Sequence, residues 1–183
     1  MSEHEPHYTA LGRMLVAFQG MEATITQGLL LLLNSELGTP SGQLAHAAIS
    51  ELSFASASRL ASLLPSIFTI ERIGTSSPEK VKRLQEELED CAIRLAEGLK
   101  LANDAEQLRN QLIHSFWFVG DGIVNPPGAL MRMKTKVKAR TLSVQFERES
   151  IADIDENTER AREAQRLVGL ALQQYRVVSN YKW

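Results

Sequence analysis

Ala105–Phe118, with the sequence AEQLRNQLIHSFWF, is the stretch that decides the fold, because it ends the longest helix that the sequence predicts. An α-helix turns by about 100° per residue, so residues three or four positions apart lie on one face. A polar stripe and an apolar stripe result, the first with Asn103, Glu106, Asn110 and His114, the second with Leu101, Ala105, Leu108 and Leu112. Arg109 lies beside the polar stripe. The stretch therefore combines an imidazole that titrates near neutral pH, an amide able to hold it and a permanent cation able to bind a phosphate.

The apolar period continues along this third predicted helix, from Pro78 to about Phe116. Ser77 has the residue type of an N-cap, and Pro78 suits the first helical position. A stripe of this length is typical of a coiled-coil or dimer interface, and packing inside one helical bundle explains it equally well. The aromatic residues at positions 116–118 are interpreted as core or interface residues that close the helix end, with stacking on a base as the alternative.

Two helical regions precede the long helix. Tyr8–Asn34 repeats apolar residues every three or four positions, and so does a region from about Gln43 to Ile70 that is interrupted near Ser53. Residues 1–7 are expected to form a disordered tail.

Beyond the long helix the hydrophobic period changes from 3.6 to 2. A row of five cations alternates with other residues: Arg132, Lys134, Lys136, Lys138 and Arg140. A second alternating run with Leu142, Val144 and Phe146 follows, which predicts a β-hairpin at about residues 129–148. Alternate residues of a strand are about 6.5 to 7 Å apart, similar to successive phosphates of a nucleic acid strand. Two interpretations weigh equally: a row that binds RNA, and an edge strand protected against aggregation.

The remaining residues complete one mainly α domain. Ser150 with Asp153 predicts a capping box that opens a last helix, to about Asn180. The order of elements predicts an all-α (mainly α) fold, an antiparallel helical bundle of four to five helices with a β-hairpin inserted between the long third helix and the last helix. Residues 8–180 are expected to form this single domain.

Composition excludes several classes of protein. The 183 residues are 44% hydrophobic and 23% charged, as in ordinary globular proteins, and the net charge of -2 gives no general attraction to nucleic acid. The only cysteine, Cys91, cannot form an internal disulfide and lacks the partners of a metal cluster, so a reducing cytoplasm and no metal or cofactor are expected. The N-terminus lacks the pattern of a signal peptide, and Leu29–Leu33 is too short to span a bilayer, so neither export nor membrane insertion is expected.

The sequence RNQLIH at residues 109–114, followed by SFW, resembles the signature of the HEPN superfamily (higher eukaryotes and prokaryotes nucleotide-binding). In that family an Arg, often followed by a polar Asn, precedes a His by four to six residues on a helix. The order of elements is also similar to a HEPN bundle with a hairpin. The similar arrangement covers most of the chain, whereas the motif covers only a few residues.

The resemblance implies a metal-independent endoribonuclease, toxin-like or defence-related, whose active site forms where the two protomers of a homodimer meet. His114 would transfer a proton, Arg109 would stabilise the charge on the phosphate, and Asn110 would orient the imidazole or the phosphate. Glu106, Asn103 and Trp117 would support the site, and the cations of the hairpin would bind RNA. The products would carry a 2',3'-cyclic phosphate, and no metal would be required.

Two other classes of function stay open. One is a non-catalytic HEPN-like module that binds RNA or a nucleotide, or that pairs with a nucleotidyltransferase-type antitoxin. The other is a purely structural helical dimerisation protein, in which Arg109 forms an ion pair with a residue such as Glu106 and His114 caps a helix end.

Overall fold

The computed structural model describes residues 5–32, 39–69, 77–119, 130–138, 141–148 and 150–180. The elements follow in the order α1 (Glu5–Leu32), α2 (Pro40–Ser50), α3 (Phe54–Ala61), α4 (Leu64–Ile67), α5 (Pro78–Ile113), β1 (Phe116–Val119), β2 (Leu130–Lys138), β3 (Thr141–Arg148) and α6 (Ile151–Asn180). The predicted mainly α fold, with a hairpin between the long helix and the last helix, is confirmed.

Two helix starts follow the capping residues that the sequence indicates, and a third falls at the predicted interruption near Ser53. Ser53 accepts a hydrogen bond from the backbone of Ser56 and opens α3, which explains the predicted interruption of the second helical region. The carbonyl of Ser77 accepts from the backbone N–H of Val81 at 2.9 Å, as expected of the residue that flanks α5. The capping box before α6 is the last of these starts.

The capping box before α6 forms as predicted. The backbone N–H of Asp153 donates to Ser150 Oγ at 3.1 Å, and the backbone N–H of Ser150 donates to Asp153 Oδ2 at 3.3 Å. Two backbone groups that the helix itself leaves without partners are therefore satisfied by two neighbouring side chains.

The N-terminal tail is shorter than expected, because α1 begins at Glu5. A carboxylate and a proline are both favourable in the first turn of a helix, where Glu5 and Pro6 stand. Thr9 Oγ1 also donates to the carbonyl of Glu5 at 2.9 Å. Residues 5–7 thus belong to the helix, and residues 1–4 of the expected tail lie outside the described residues.

Helix α1 is long and apolar enough, by length and composition, to cross a membrane, with a mean hydropathy of 1.3 in its most apolar window and 28% of that window buried. A core helix of a soluble protein passes the same test, and so does a signal sequence near an N-terminus. Met14 and Phe18 of this helix are buried, as in a core helix. The fold is compatible with a soluble protein.

The chain divides into two compact units, residues 1–18 with 104–161 and residues 19–103 with 162–183. Helices α1, α5 and α6 each contribute residues to both. The first unit contains the sheet and the end of α5, and the second contains α2, α3 and α4.

In the second unit, small residues let the long helices approach closely. A Cβ on Gly98 of α5 would lie 2.8 Å from Val168 Cγ2 of α6, and a Cβ on Gly28 of α1 would lie 2.3 Å from Leu172 Cδ1. Cys91 of α5 donates its thiol hydrogen to the carbonyl of Ala171 at 3.2 Å. As residue numbers increase along α5, from Cys91 to Gly98, the residues that they face on α6 decrease in number, from Ala171 to Val168. These two helices are therefore antiparallel.

Cys91 is enclosed in the same helical core. Its side chain is fully buried, and burial raises the pKa of the thiol to about 11, although contacts with Tyr175 and Arg94 act in the opposite direction. Burial likewise raises the pKa of Tyr175, whose ring lies 5.0 Å from the ring of Phe68. The thiol is a packing group in this position and not an exposed nucleophile.

In the first unit, a core forms between the start of α1, the end of α5 and the start of α6. Its fully buried members are Ala10, Met14, Leu112 and Ile154, and partly buried side chains pack against them: Leu11, Leu15, Leu108, Trp117 and Ile151. This core joins the α5 end, which carries the candidate motif, to two other helices.

The sheet of the first unit has three antiparallel strands in the order β1-β2-β3. The predicted hairpin corresponds to β2 and β3, with Lys138 opposite Thr141, and its turn at residues 139–140 lies outside the described residues. Strand β1 was not predicted: α5 ends at Ile113, and Phe116 pairs with Met133 instead of continuing the helix. Aromatic and β-branched residues favour strands, so the FWFV run forms a strand once β2 supplies hydrogen-bonding partners.

Candidate functional site

The C-terminal end of α5 is held by side chains that follow it in the sequence. The last carbonyls of a helix have no partner within the helix. Trp117 Nε1 donates to the carbonyl of Leu112 at 2.8 Å, while Ser115 Oγ and Arg132 Nη1 donate to the carbonyl of Gln111, the arginine at 3.4 Å. The sheet therefore fixes the helix end that carries the Arg-Asn-x-x-x-His sequence.

Arg132 differs from the expectation of a fully exposed row of cations. Its side chain is only 2% exposed, and Nη2 donates to Glu147 Oε2 at 2.7 Å, the residue directly opposite on β3. A buried guanidinium needs a carboxylate partner, and the negative end of a helix favours a cation nearby. Arg132 therefore holds the α5 end in this structure and is not available on the surface to RNA.

The other four cations of the row stay predicted RNA contacts. The register places Lys134 opposite Gln145 and Lys136 opposite Ser143, on the part of β2 that extends beyond its pairing with β1. Lys138 is the last residue of β2, and Arg140 lies outside the described residues.

Arg109 is half-buried and held on two sides. Its guanidinium carbon lies 4.6 Å from the centre of the Phe18 ring, and Nη1 donates to Asn110 Oδ1 at 2.8 Å. A cation over an aromatic face gains between about 0.5 and 2 kcal/mol, and the gain rises as the cation is shielded from water. The Nε atom is buried and has no hydrogen-bond partner among the described residues. The plane of the guanidinium is thus fixed by the protein, while part of its hydrogen-bonding capacity is unused.

Asn110 and His114 have different surroundings from those predicted. The side chain of Asn110 accepts from Arg109, so it orients the arginine and not the imidazole. His114 follows the helix end, donates its backbone N–H to the carbonyl of Asn110 at 3.1 Å and exposes its side chain. In the part of the chain that the structure describes, no hydrogen bond joins Arg109 to the imidazole of His114. One protomer therefore brings Arg109 and Asn110 together and leaves His114 facing solvent.

The three predicted supporting residues, Trp117, Glu106 and Asn103, differ in their contacts and in their exposure to solvent. Trp117 packs against the core of the first unit and donates to a carbonyl at the end of α5. This agrees with the prediction of a core residue that closes the helix end. Glu106 is half-buried on α5, and the described residues show no ion pair between Glu106 and Arg109. Asn103 is exposed and belongs to the second unit.

Two residues near Arg109 were missed by the sequence analysis. Phe18 is one of several regularly spaced apolar residues of α1, and no signal in the sequence marks it as the partner of an arginine. Asn157 did carry a signal, because it interrupts the apolar stripe of α6 between Ile154 and Ala161. It is 1% exposed, and its Nδ2 donates to the carbonyl of Ala105 at 3.5 Å.

Comparison of the chain with protein-family models, with curated protein sequences and with solved structures gives no match. Among the described residues, no group of three or more His, Cys, Asp or Glu side chains is arranged to hold a metal ion. The function is therefore inferred from the geometry of the α5 end and from the short sequence that it carries.

Proposed function

We propose that this protein is a metal-independent endoribonuclease of the HEPN type, which cuts RNA at a composite site in a homodimer. Two observations support this proposal: the Arg-Asn-x-x-x-His sequence at residues 109–114, and the fixed helix end on which Arg109, Asn110 and His114 stand. A toxin-like or defence-related role belongs to the same proposal. Its compartment is a reducing cytoplasm, where a free cysteine such as Cys91 persists.

The observation that carries the proposal is the uncompensated charge of Arg109. A structural arginine that is shielded from solvent commonly pairs with a carboxylate, as the more deeply buried Arg132 does with Glu147. Arg109 instead contacts an aromatic face and a neutral amide, and no described carboxylate pairs with it. A rigid guanidinium with its positive charge unneutralised favours a phosphate as the missing partner.

The chemistry matches these residues. The 2'-hydroxyl of RNA attacks the adjacent phosphorus, the bond to the 5'-oxygen of the next nucleotide breaks, and a 2',3'-cyclic phosphate remains. One group must take the 2'-hydroxyl proton, another must protonate the leaving oxygen, and a cation must stabilise the charge of the transition state. His114 transfers one of these protons, water transfers the other, and Arg109 stabilises the phosphate.

The remaining residues of the helix end act as supports. Asn110 fixes the direction of the Arg109 guanidinium, since it accepts from Nη1. Trp117 and Arg132 keep the last turn of α5 in place, because they donate to its final carbonyls. The lysines of β2 bind the backbone of the RNA on either side of the cut.

The test is cleavage of end-labelled RNA in EDTA by the wild type, Arg109→Ala and His114→Ala, with the product ends identified. Both variants should reduce the cleavage rate by about 100-fold or more, the range for loss of a group that acts on protons or charge in the transition state. Arg59→Ala and His46→Ala are matched controls on α3 and α2, and they should cut at the wild-type rate. Sedimentation of each variant shows whether the dimer persists.

The outcomes separate the three classes of function. Metal-independent cutting to cyclic phosphate ends, lost in both variants while the dimer persists, supports the enzyme. If the protein cuts no RNA but binds it, and if binding weakens when Lys134, Lys136 and Lys138 are neutralised, the function is that of a non-catalytic RNA-binding module. Neither cutting nor binding, with a stable dimer, favours the dimerisation protein.

A further inference from the structure

Asn157 is a polar side chain where an apolar one would be expected. It stands on the buried stripe of α6 and is only 1% exposed, and its Oδ1 atom accepts no hydrogen bond from any described residue. A buried acceptor without a donor is strongly unfavourable, so nearly all such atoms in folded proteins have a partner. The structure therefore points to a donor close to Asn157.

Arg109 offers the complementary group. Its Nε–H is a donor, lies buried in the same unit and has no acceptor among the described residues. Asn157 Oδ1 needs a donor, and Arg109 Nε–H needs an acceptor. A hydrogen-bonded link between the two side chains satisfies both groups at once.

The helix geometry brings these two groups to the same place. Asn157 Nδ2 donates to the carbonyl of Ala105 at 3.5 Å, and in an α-helix that carbonyl also accepts from the backbone N–H of Arg109, four residues later. Side chains on a helix lean towards its N-terminus, so the Arg109 side chain extends back over the turn of Ala105. The expected position of the Nε atom is therefore over the helical turn that the Asn157 amide contacts.

We propose that Asn157 is a positioning residue for Arg109, and that one bound water links Arg109 Nε–H to Asn157 Oδ1. A water of this kind suits a pair of buried polar atoms too far apart for a direct hydrogen bond. The guanidinium is then held at three points from three helices, by Phe18 of α1, Asn110 of α5 and Asn157 of α6. Nη2, for which the described residues show no hydrogen bond, becomes the edge that faces the anion.

The catalytic consequence rests on the proposed function, whereas the positioning itself does not. A guanidinium whose direction is fixed stabilises charge in the transition state without having to reorganise. Loss of Asn157 should therefore lower kcat for RNA cleavage while KM changes little, as expected when only the transition state loses an interaction.

The test combines nuclear magnetic resonance of the Arg109 Nε–Hε group with cleavage kinetics, on the full chain. Asn157→Leu keeps the branching at Cγ and removes the acceptor, although leucine is larger, and Asn157→Asp keeps an acceptor at the same position. Thr158→Val is the matched control, because Thr158 is equally buried but donates to the carbonyl of Ile154 in its own helix at 2.9 Å. If the leucine variant does not fold, Asn157→Ala replaces it.

In the wild type the Nε–Hε order parameter should be near 0.85, as in rigid backbone, and in Asn157→Leu it should fall below about 0.6. The aspartate variant and Thr158→Val should keep the wild-type value. An unchanged Arg109 signal in Asn157→Leu, or an equal loss in Thr158→Val, would overturn the proposal.

The cleavage kinetics distinguish a failure of the proposed role of Asn157 from a failure of the proposed endoribonuclease function. If the wild type cuts RNA, Asn157→Leu should lower kcat by about 10-fold or more, and Asn157→Asp should restore most of it. If the wild type cuts no RNA, the proposed function fails, while the resonance measurement still decides whether Asn157 positions Arg109.

Discussion

Two arginines of the first unit differ in their partners: Arg132 is buried, and Arg109 is half-buried. Arg132 is paired with the carboxylate of Glu147 at 2.7 Å, and its charge is compensated within the fold. Arg109 contacts the Phe18 ring and the Asn110 amide, which hold its position without cancelling its charge. Burial of a charge is unfavourable, so an arrangement that leaves the charge uncompensated is expected where a ligand supplies the counter-charge. The partner of each guanidinium, and not the residue type, separates the structural cation from the candidate functional one.

Also at the residue scale, the Cys91 thiol should make the free energy of unfolding depend on pH in the alkaline range. The thiol has a pKa of about 8.5 in an unfolded chain, whereas burial raises it to about 11 in the folded protein. Above pH 8.5 the unfolded chain loses this proton and the folded protein keeps it, so unfolding becomes easier as pH rises towards 11. The loss should be about 2 kcal/mol by pH 10, and Tyr175 contributes a loss of the same sign at higher pH.

The measurement is urea unfolding at several pH values between about 8 and 10. Cys91→Ala is less stable throughout, because it leaves a small cavity, but its stability should fall less steeply with pH than that of the wild type. Equal slopes for the two proteins would show that the Cys91 thiol does not titrate in the predicted way.

At the scale of elements, the end of α5 depends on one indole group. Trp117→Phe keeps an aromatic ring in the core but removes the N–H that donates to the Leu112 carbonyl at 2.8 Å. The expected destabilisation is about 1 kcal/mol, with faster amide exchange in the last turn of α5. Ser115→Ala is the control, since it removes a donor to Gln111 while Arg132 still donates to the same carbonyl. Equal exchange in the two variants would exclude the indole as the main cap.

Local and distant interactions explain which elements could be predicted. The starts at Ser53, Ser77 and Ser150 depend on hydrogen bonds to residues three or four positions away, so a short stretch of sequence contains both partners. Strand β1 depends on its pairing with β2, where Phe116 faces Met133. The helical period of α5 continues through Phe116, and only the distant partner decides that the helix stops earlier.

Two helical glycines should respond in opposite directions to the same substitution. Gly98→Ala places a Cβ 2.8 Å from Val168 Cγ2 and 3.0 Å from the Val168 backbone nitrogen, so it should destabilise the protein by about 1 to 3 kcal/mol. Gly12→Ala on α1 meets no atom within 4 Å and should stabilise it by about 0.5 to 1 kcal/mol. Thermal or urea unfolding of both variants checks this. A Gly98→Ala protein as stable as the wild type would mean that α5 and α6 are less closely packed than the structure shows.

For the molecule as a whole, the sequence predicts the elements on which the candidate residues lie better than it predicts what those residues contact. Arg109 and Asn110 are neighbours in the chain, so their association could be expected, although the sequence analysis assigns Asn110 to the imidazole or the phosphate. Phe18 and Asn157 come from helices at opposite ends of the chain, and only the fold brings their elements to α5. Arg132 was misplaced for the same reason, because alternation along β2 gives its face but not the carboxylate and the helix end that bury it.

The absence of a described hydrogen bond between Arg109 and His114 within the chain leads to a prediction about the proposed dimer. Arg109 is engaged with Phe18 and Asn110, while His114 faces solvent without a hydrogen bond to it among the described residues. An active site that uses the arginine of one protomer and the histidine of the other is therefore expected.

Mixing Arg109→Ala with His114→Ala under conditions that exchange protomers should then restore activity that neither variant has alone. With statistical exchange, half of the dimers are mixed and each contains one intact site of two, so about one quarter of the wild-type rate should return. Mixing Arg109→Ala with an Arg109→Ala, His114→Ala double variant is the control, because no intact arginine is then present in any dimer. If exchanged mixtures stay inactive, each site either uses Arg109 and His114 of the same protomer or requires both copies of each residue, and the simple shared site is excluded.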